Sequence, residues 1–273
     1  MAAILSVAMG AYNCASTLEK SLDSLAQQTF RDFVCYICDD GSTDSTRTVI
    51  ENYCKKDPRF VLLVNEKNMG LSHSLNKCIE QSSTKYIARM DGDDISLPER
   101  FATQIDFLEN HPDIDFCGSA ITYFDDNGAW GRGDFPEYPK ASDFLFVSPF
   151  AHPTIMYRAA SLEKVKDENT GWIYSEDKKI GRSEDYDLFM RMHAAGLKSY
   201  NFQRPLILYR EDANSYAKRK FKYVITDARV RLRNFKKLKL MPKGYIYVLK
   251  PFVVALIPKK LRARLHKRKF DVK

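Results

Sequence analysis

Short apolar runs alternate with amphipathic stretches from the start of the chain to about residue 110. The runs have the length of buried strands, and the stretches between them carry apolar residues at helical spacing. Capping-box patterns at Ser16–Glu19 and Ser96–Glu99 predict where two of the helices begin. This repeated strand–helix order predicts an α/β fold with a Rossmann-like, mainly parallel sheet flanked by helices and right-handed crossovers. The predicted strands are 4–9, 33–38, 60–64 and 86–90, and the predicted helices are one through Leu18, Leu22 and Leu25, then about 44–54, 71–81 and 96–110.

The pattern changes after residue 114, where a mixed second half begins. A strand at 116–124 is followed by the turn signal DDNG at 125–128, which predicts a hairpin. Residues 135–180 have no regular period, and the segment after them predicts a helix at 184–195 and two short strands at 198–202 and 205–209. We therefore predict an α/β nucleotide-binding half over 1–114, a mixed second half over 115–214 and an appendage over 215–273.

Charge separates the appendage from the rest of the chain. The net charge is +8, yet residues 215–273 hold 20 Lys and Arg against two acids, a net of +18, while residues 1–214 carry −10. Such asymmetry predicts a polyanionic partner surface, either membrane or nucleic acid. The N-terminal segment has no basic stretch of the kind that begins a signal peptide, so we interpret the six cysteines as reduced thiols. Cys35 and Cys38 lie in a predicted strand and should face opposite sides of the sheet.

Acidic residues cluster where two predicted strands end. The second strand ends in DDGSTD at 39–44, and the fourth ends in DGDD at 91–94. In open α/β sheets ligands bind beyond the carboxyl ends of the strands, and converging carboxylates call for a compensating cation. Oxygen ligands suit Mg²⁺ or Mn²⁺ completed by substrate phosphate, and Asp91 and Asp93 can face one ligand. The alternative for each segment alone is a turn, a helix cap or a solvated loop. Neither a GxGxxG nor a P-loop motif is present, which argues against dinucleotide and P-loop chemistry.

These motifs, in this order and spacing, resemble glycosyltransferase family 2. In the first half the similar segments are SVAMGAYN at 6–13, QTFRDF at 28–33, CDDGSTD at 38–44, NMGL at 68–71 and ARMDGDDISLPER at 88–100. In the second half HPTIMYR at 152–158 and SEDYDL at 183–188 are similar to bacterial polysaccharide and lipopolysaccharide members. The resemblance covers about residues 4–210. It implies that 1–214 is a catalytic domain, with a nucleotide-sugar-binding half at 1–114 and an acceptor half at 115–214. It implies a GT-A fold, a nucleotide-diphosphate-sugar donor with UDP favoured, a divalent metal (Mn²⁺ or Mg²⁺) and inversion at the anomeric carbon.

The resemblance also implies residue roles. Tyr12 and Asp40 would contact the base, Asp39 would support their loop, and Asn68 would border the nucleotide. Asp91 would approach the ribose and the metal, Asp93 would bind the metal, and Asp185 would be the general base, with Glu184 beside it. The alternative for Glu184 and Asp185 is that both are acids favoured by a helix N-terminus. His152 is a candidate for contact with the acceptor or a phosphate, and the alternative is a structural turn residue. Arg210 is a candidate for contact with a phosphate, and the alternative is a surface arginine.

Two departures from the family pattern stand out. Asp212 occupies a position where relatives often have His, which weakens a phosphate or metal role for 209–212. Gly10 replaces the Pro, Thr or Ser of many relatives. The chain has no Gln-x-x-Arg-Trp motif and no bundle of spanning helices, so addition of one sugar is favoured over processive polymer synthesis.

The tail combines an apolar segment at 245–257 with a basic segment at 259–269. Thirteen apolar residues are too few to span a bilayer, and the mixture of apolar, aromatic and basic groups is typical of an interfacial segment on anionic lipid. The alternatives are packing of 245–257 on the catalytic domain, and nucleic-acid binding, which the lack of a nucleic-acid module disfavours. We expect a cytoplasmic protein that is peripheral on the inner face of the plasma membrane.

The sequence therefore predicts a glycosyltransferase that adds one sugar to a lipid-linked or cell-surface glycan. One alternative is a sugar nucleotidyltransferase, which would usually carry a Gly-rich basic loop after the first strand. Another is a non-catalytic module that binds sugar nucleotide or membrane. The base, sugar, acceptor, linkage and oligomeric state are not encoded in any motif that we identify.

Overall fold

The computed structural model describes residues 3–177, 180–211, 221–258 and 270. Helices and strands alternate through the first half, as the hydrophobic pattern predicts. The strands are β1 (Leu5–Ala11), β2 (Phe33–Asp39), β3 (Phe60–Val64), β4 (Tyr86–Asp91), β5 (Ile95–Ser96), β6 (Phe116–Asp125), β7 (Gly128–Gly133), β8 (Met156–Arg158) and β9 (Ser199–Arg210). The helices are α1 (Ala15–Ala26), α2 (Thr46–Lys56), α3 (Leu71–Glu80), α4 (Arg100–Asn110), α5 (Ala159–Glu163), α6 (Glu184–Ala194), α7 (Phe221–Lys237), α8 (Gly244–Val248) and α9 (Lys250–Leu256), with 3-10 turns at Ala141–Leu145 and His152–Thr154.

The strands of the described residues form one mixed sheet in the order β3-β2-β1-β4-β8-β6-β9-β5, with β7 paired to β6. Strands β1 to β4 are parallel neighbours, which confirms the predicted parallel half. Antiparallel β8 lies between β4 and β6 and joins this half to the second. Strand β6 then pairs with β9 in parallel and with β7 as the predicted hairpin. The second half is therefore mixed, as expected.

Two apolar clusters cover the two faces of the sheet. Alternate residues of β1 divide between them, with Val7 in one cluster and Ala8 in the other. Cys35 and Cys38 divide in the same way, which confirms that they face opposite sides. Both thiols are buried and free, consistent with packing.

Strand β9 replaces the two short strands predicted at 198–202 and 205–209. Its register against β6 shifts beside Ser119 and Ala120, where Gln203 and Arg204 are extra residues on β9. Pro205, which cannot donate a ladder hydrogen bond, follows this bulge directly. The break in the hydrophobic pattern thus marks a bulge within one strand, and the prediction of two strands is wrong.

The two predicted capping boxes are also wrong. Helix α1 begins at Ala15 with Cys14 as its N-cap, and α4 begins at Arg100. Tertiary contacts set both boundaries, because Cys14 N–H donates to the Thr46 hydroxyl at 2.9 Å and Ser96 N–H donates to the Ser24 hydroxyl at 3.0 Å. Ser96 is thereby held in β5 instead of capping a helix.

Helix α7 lies in the range predicted as an appendage, and it packs against α6. Phe235 is fully buried in the same apolar cluster as Phe189 of α6. Asn234 donates from its amide to the Asp187 carboxylate at 2.8 Å, and Arg231 donates to the Leu145 carbonyl at 3.1 Å. Polar and apolar contacts therefore fix α7 to the helix that carries the candidate base. The basic segment 259–269 lies outside the described residues.

Candidate active site

The parallel strands β1, β2 and β4 bring the predicted site residues to one edge of the sheet. Ala11 is in register with Asp39, and Gly10 is in register with Asp91. The loops that carry Tyr12, Asp39–Asp40 and Asp91–Asp94 therefore leave the sheet side by side. This convergence is the arrangement that strand-end ligand binding requires.

Asp91, Asp93 and Asp94 form the acidic cluster at the end of β4. One carboxyl oxygen from each lies within 4.8 Å of the others. Helix α1 holds the loop in place, because the Thr17 hydroxyl donates to the Gly92 carbonyl at 3.0 Å and the Ser21 hydroxyl donates to the Asp91 carbonyl at 2.8 Å. The three carboxylates therefore project from a loop whose backbone is fixed by hydrogen bonds from α1.

The acidic cluster is electrostatically unfavourable without a cation. Partial desolvation in the crevice and then the charge of Asp91 raise the pKa of Asp93 to about 6. Burial, followed by Asp91 and Asp93, raises the pKa of Asp94 well above its usual range. Asp94 is 1% exposed and accepts one hydrogen bond from Arg210 N–H at 2.8 Å, while its Oδ2 has no partner among the described residues. A hard divalent cation with oxygen ligands fits these groups.

The Asp39–Asp40 loop differs from the acidic cluster. Asn65 and Met69 donate to Oδ1 of Asp40, and Gly70 N–H donates to Oδ2, each at 2.8 Å. Asp40 is buried by these contacts and fixes the 65–70 segment. Asp39 is also buried, and Ser42 N–H donates to its Oδ1 at 3.2 Å.

Tyr12 and Asn68 are exposed, and each directly adjoins a residue that is hydrogen-bonded to that loop. The neighbour of Tyr12, Asn13, is tied across to the loop, because Thr43 N–H donates to its side-chain oxygen at 2.8 Å. Asn68 directly precedes Met69, whose N–H reaches Asp40. Both side chains are therefore accessible at the predicted nucleotide side of the crevice.

Glu184 and Asp185 form the first turn of α6 and are half-buried. Burial and then Asp185 raise the pKa of Glu184 to about 7, and burial raises the pKa of Asp185. Asp185 accepts a hydrogen bond from Tyr186 N–H at 2.7 Å. A carboxylate poised toward neutral pH in a crevice has the properties of a general base.

Arg89 lies between the acidic cluster and the Glu184–Asp185 pair, and it is not among the site residues predicted from the sequence. Its side chain is 3% exposed and forms an ion pair with Asp91. Its positive charge also lowers the pKa of Asp93, Asp94, Glu184 and Asp185, against the upward effect of their burial. The available signal was an arginine inside the apolar run of β4, where a charge needs a partner.

His152 and Arg210 lie on different sides of this site. His152 is buried, its Nε2 is 2.7 Å from the Tyr174 hydroxyl, and burial and then Arg89 lower its pKa well below the usual range. It is therefore a neutral core side chain beneath the site. Arg210 pairs with Asp126 at the β6–β7 turn, beside the acidic cluster. Asp212 lies outside the described residues.

Fold and site place the chain among α/β enzymes whose ligands bind beyond the carboxyl ends of a mainly parallel sheet. Within that class, the family model "Glycosyl transferase family 2" matches residues 6–186, and the chain belongs to that family. It is a glycosyltransferase, which disfavours the nucleotidyltransferase and non-catalytic alternatives. The resemblance drawn from the sequence motifs is confirmed.

Individual relatives agree with this assignment. The putative glycosyltransferase EpsE of Bacillus subtilis is 35% identical over 266 residues, which are 97% of this chain and 94% of the relative. An Escherichia coli relative, UDP-Glc:alpha-D-GlcNAc-diphosphoundecaprenol beta-1,3-glucosyltransferase WfaP, is 26% identical over 83% of this chain and 85% of its own length. The crystal structure of S. aureus TarS 1-349 in complex with UDP-GlcNAc matches with a TM-score of 0.71 at 18% identity, over 90% of this chain and 72% of that one. This likeness confirms the GT-A fold.

Proposed function

We propose that the protein is an inverting, metal-dependent transferase that moves one sugar from a nucleotide-diphosphate sugar to a hydroxyl of a lipid-linked glycan. The observation that carries this proposal is the juxtaposition of two acidic groups around Arg89. One is the carboxylate cluster at the end of β4, and the other is the Glu184–Asp185 pair at the start of α6. The first group could hold a metal ion against the leaving diphosphate, and the second could accept the proton of the attacking hydroxyl.

The residues of the acidic cluster would hold the metal, with Asp93 and Asp91 as principal ligands and Asp94 beside them. A bound Mn²⁺ or Mg²⁺ supplies Lewis-acid stabilisation for charge that develops on the departing diphosphate. Arg89 orients the Asp91 carboxylate through their ion pair. A UDP-sugar is the favoured donor, because TarS carries UDP-GlcNAc in its crystal structure and WfaP is named for UDP-Glc.

The hydrogen bonds of the Asp39–Asp40 loop favour an exchange of the two roles that the resemblance implied. The three donors on Asp40 leave it to support the loop. Asp39 accepts one hydrogen bond from Ser42 and keeps its other oxygen for the nucleotide base. Tyr12, exposed beside it, would stack on the base, and Asn68 would border the nucleotide.

Asp185 would accept the proton of the acceptor hydroxyl as that oxygen attacks the anomeric carbon. A single displacement, with the base and the leaving diphosphate on opposite faces of the sugar, inverts the configuration. Glu184, with a pKa of about 7, would help to hold a proton close to Asp185. We place His152 in support of the site through Tyr174, and Arg210 at its rim.

The relatives and the tail support a proposal for the acceptor and for the cellular location. WfaP is named for a diphosphoundecaprenol-linked acceptor, which supports a lipid-linked glycan here. We propose that the protein is cytoplasmic and peripheral, and that its C-terminal region contacts the anionic inner face of the plasma membrane. Along the described part of the chain, none of the helices combines the length and apolar character that crossing a bilayer requires.

Asp185→Asn is the direct test of this mechanism. The amide keeps the shape of the side chain but cannot accept the proton, so turnover should fall by at least about 100-fold. Donor affinity, measured by calorimetry with UDP and Mn²⁺, should stay within about twofold of the wild-type value. Unchanged turnover would remove Asp185 as the base. A transfer product with retained configuration would contradict the inverting mechanism.

A further inference from the structure

Helices α8 and α9 expose an apolar stripe to solvent. Ile246, Leu249, Val253 and Leu256 are 73%, 60%, 61% and 83% exposed, and they recur at spacings of three, four and three residues. That spacing places them on one face of the helical segment. On the opposite side, Gly244 and Pro251 are buried. The segment is therefore apolar on both sides, because Tyr247 and Val248 pack against the core cluster while the stripe faces solvent.

A loop of the catalytic half extends this stripe. Phe146 and Val147, just after the 3-10 turn at Ala141–Leu145, are 56% and 61% exposed. The Phe146 ring contacts the Tyr247 ring edge-on, with centroids 5.0 Å apart. The Lys250 ammonium donates to the Phe146 carbonyl. We call the four stripe residues together with Phe146 and Val147 the apolar face.

In the tail, the charged side chains of the segment that carries the apolar face are all positive. The sequence has no Asp or Glu between Asp227 and Asp271. Lys236, Lys239 and Lys243 are exposed on the segment that leads into α8. An apolar face with a basic border is complementary to a bilayer that contains anionic lipid, since both the acyl interior and the headgroups find partners.

The apolar face is also connected to the helix of the candidate base. The Tyr186 hydroxyl, one residue after Asp185, donates to the Phe144 carbonyl in the turn that leads to Phe146. Arg231 of α7 donates to the next carbonyl, that of Leu145, at 3.1 Å. The exposed loop and the first turn of α6 therefore share a hydrogen-bonded support.

We propose that the apolar face is an interfacial surface that inserts into anionic membrane, with Phe146 and Val147 as a second insertion point supplied by the catalytic half. Two insertion points, one in the tail and one beside α6, fix the orientation of the catalytic half on the bilayer. A tail alone would tether the enzyme without orienting it. Membrane contact by the C-terminal region and its benefit for a lipid-linked acceptor rest on the function proposed above, whereas the insertion of Phe146 and Val147 is a separate inference.

The test compares the full-length wild type with a Phe146→Ser/Val147→Ser variant in sedimentation with phosphatidylglycerol-containing vesicles. Loss of two partly inserted apolar side chains should lower the partition coefficient by about tenfold or more. A Leu249→Ser/Val253→Ser variant should show a similar loss. The matched control is Tyr138→Ser, which removes a 59% exposed aromatic elsewhere in the catalytic half and should bind as the wild type does. Thermal unfolding verifies that each variant is folded.

The vesicle measurement uses neither donor nor acceptor, so its outcome is independent of the proposed reaction. Wild-type binding by the Phe146→Ser/Val147→Ser variant would overturn the second insertion point. Equal binding of the wild type to pure phosphatidylcholine vesicles would overturn the anionic preference. A change in sedimentation velocity without vesicles, with unaltered vesicle binding, would assign the face to a second copy of this chain instead.

Discussion

Two Asp-Asp pairs, Asp39–Asp40 and Asp93–Asp94, lie at or just beyond the ends of β2 and β4, the strands on either side of β1 in the sheet, and they are used in opposite ways. Asp40 accepts three hydrogen bonds and has both oxygens engaged. Asp94 accepts one, and its second oxygen has no partner among the described residues. The comparison shows that the dipeptide does not define the role. The number of N–H donors that the surrounding residues present decides whether a carboxylate supports a loop or stays available for a ligand.

Backbone conformation explains the difference. Gly70, with φ of 95°, turns its N–H toward Asp40, a conformation that residues with side chains rarely adopt. At Gly41, with φ of 69°, an added Cβ would lie 2.6 Å from the Lys67 backbone, so the loop closes over Asp40 only with glycine there. Beyond Asp94 the chain enters β5 immediately, and Arg210 of β9 supplies the single donor.

The comparison predicts its largest effect at Asp93, the exposed member of the unsatisfied pair. Asp93→Ala should abolish metal-dependent donor binding and reduce kcat/KM by at least about 100-fold, because the developing charge on the diphosphate loses its counterion. Calorimetry with UDP, with and without Mn²⁺, measures the first effect, and steady-state turnover measures the second. The folded state should be retained, since Asp93 supports no other element.

Asp23→Ala is a suitable control for this prediction, because Asp23 lies on α1 and its carboxylate bonds to the Tyr53 hydroxyl away from the site. It should keep the Mn²⁺ dependence of the wild type. Full Mn²⁺-dependent binding by Asp93→Ala would show that the acidic cluster is not the metal site.

An Asp→Asn substitution should lower the free energy of unfolding by different amounts in the two pairs. Asp40→Asn places an amide donor against the N–H of Met69 or Gly70, so it should lower the free energy of unfolding by about 2–3 kcal/mol. Asp94→Asn retains the oxygen that accepts from Arg210 and removes a buried negative charge, so its cost should be below about 1 kcal/mol. Urea denaturation at pH 8 without metal compares the two. Equal destabilisation would contradict the distinction between a supporting and a ligand-binding pair.

Much of this site could be predicted because its signals are local. The acids at 39–40, 91–94 and 184–185 follow directly after a strand or begin a helix, and parallel strands must bring their carboxyl ends together. The exchange of roles that we propose for Asp39 and Asp40 could not be predicted, because it depends on donors from residues 65–70 that fold back across the loop. The same applies to the capping boxes, where Thr46 and Ser24 provided tertiary partners that outweighed a local pattern.

Features that depend on long-range packing were missed for the same reason. Arg89 was visible as a charge in an apolar strand, yet only the fold shows that its partners are Asp91 and the N-terminus of α6. Phe146 and Val147 lie in the segment 135–180, where no period indicates which residues are exposed. The tail pattern indicated an interfacial segment, and only the contact between Phe146 and Tyr247 adds a catalytic-half loop to it.

Glu184–Asp185 is a third acidic pair, and the pH dependence of the free energy of unfolding allows it to be compared with the other two. The pKa of Glu184 is about 7 in the folded chain against an ordinary value of 4.5, because burial and then Asp185 disfavour its charge. Between these values the folded state binds more protons, so this group lowers stability as pH rises from about 5 to 7.

Glu184→Gln should remove that loss and gain on the order of 1–3 kcal/mol over the wild type above pH 7, with no gain below pH 4.5. Metal-free urea denaturation from pH 4 to 8 measures the difference, with exposed Glu66→Gln as the control. A pH-independent difference would mean that Glu184 is solvated like the surface acids, and that the burial of this pair does not tune the site.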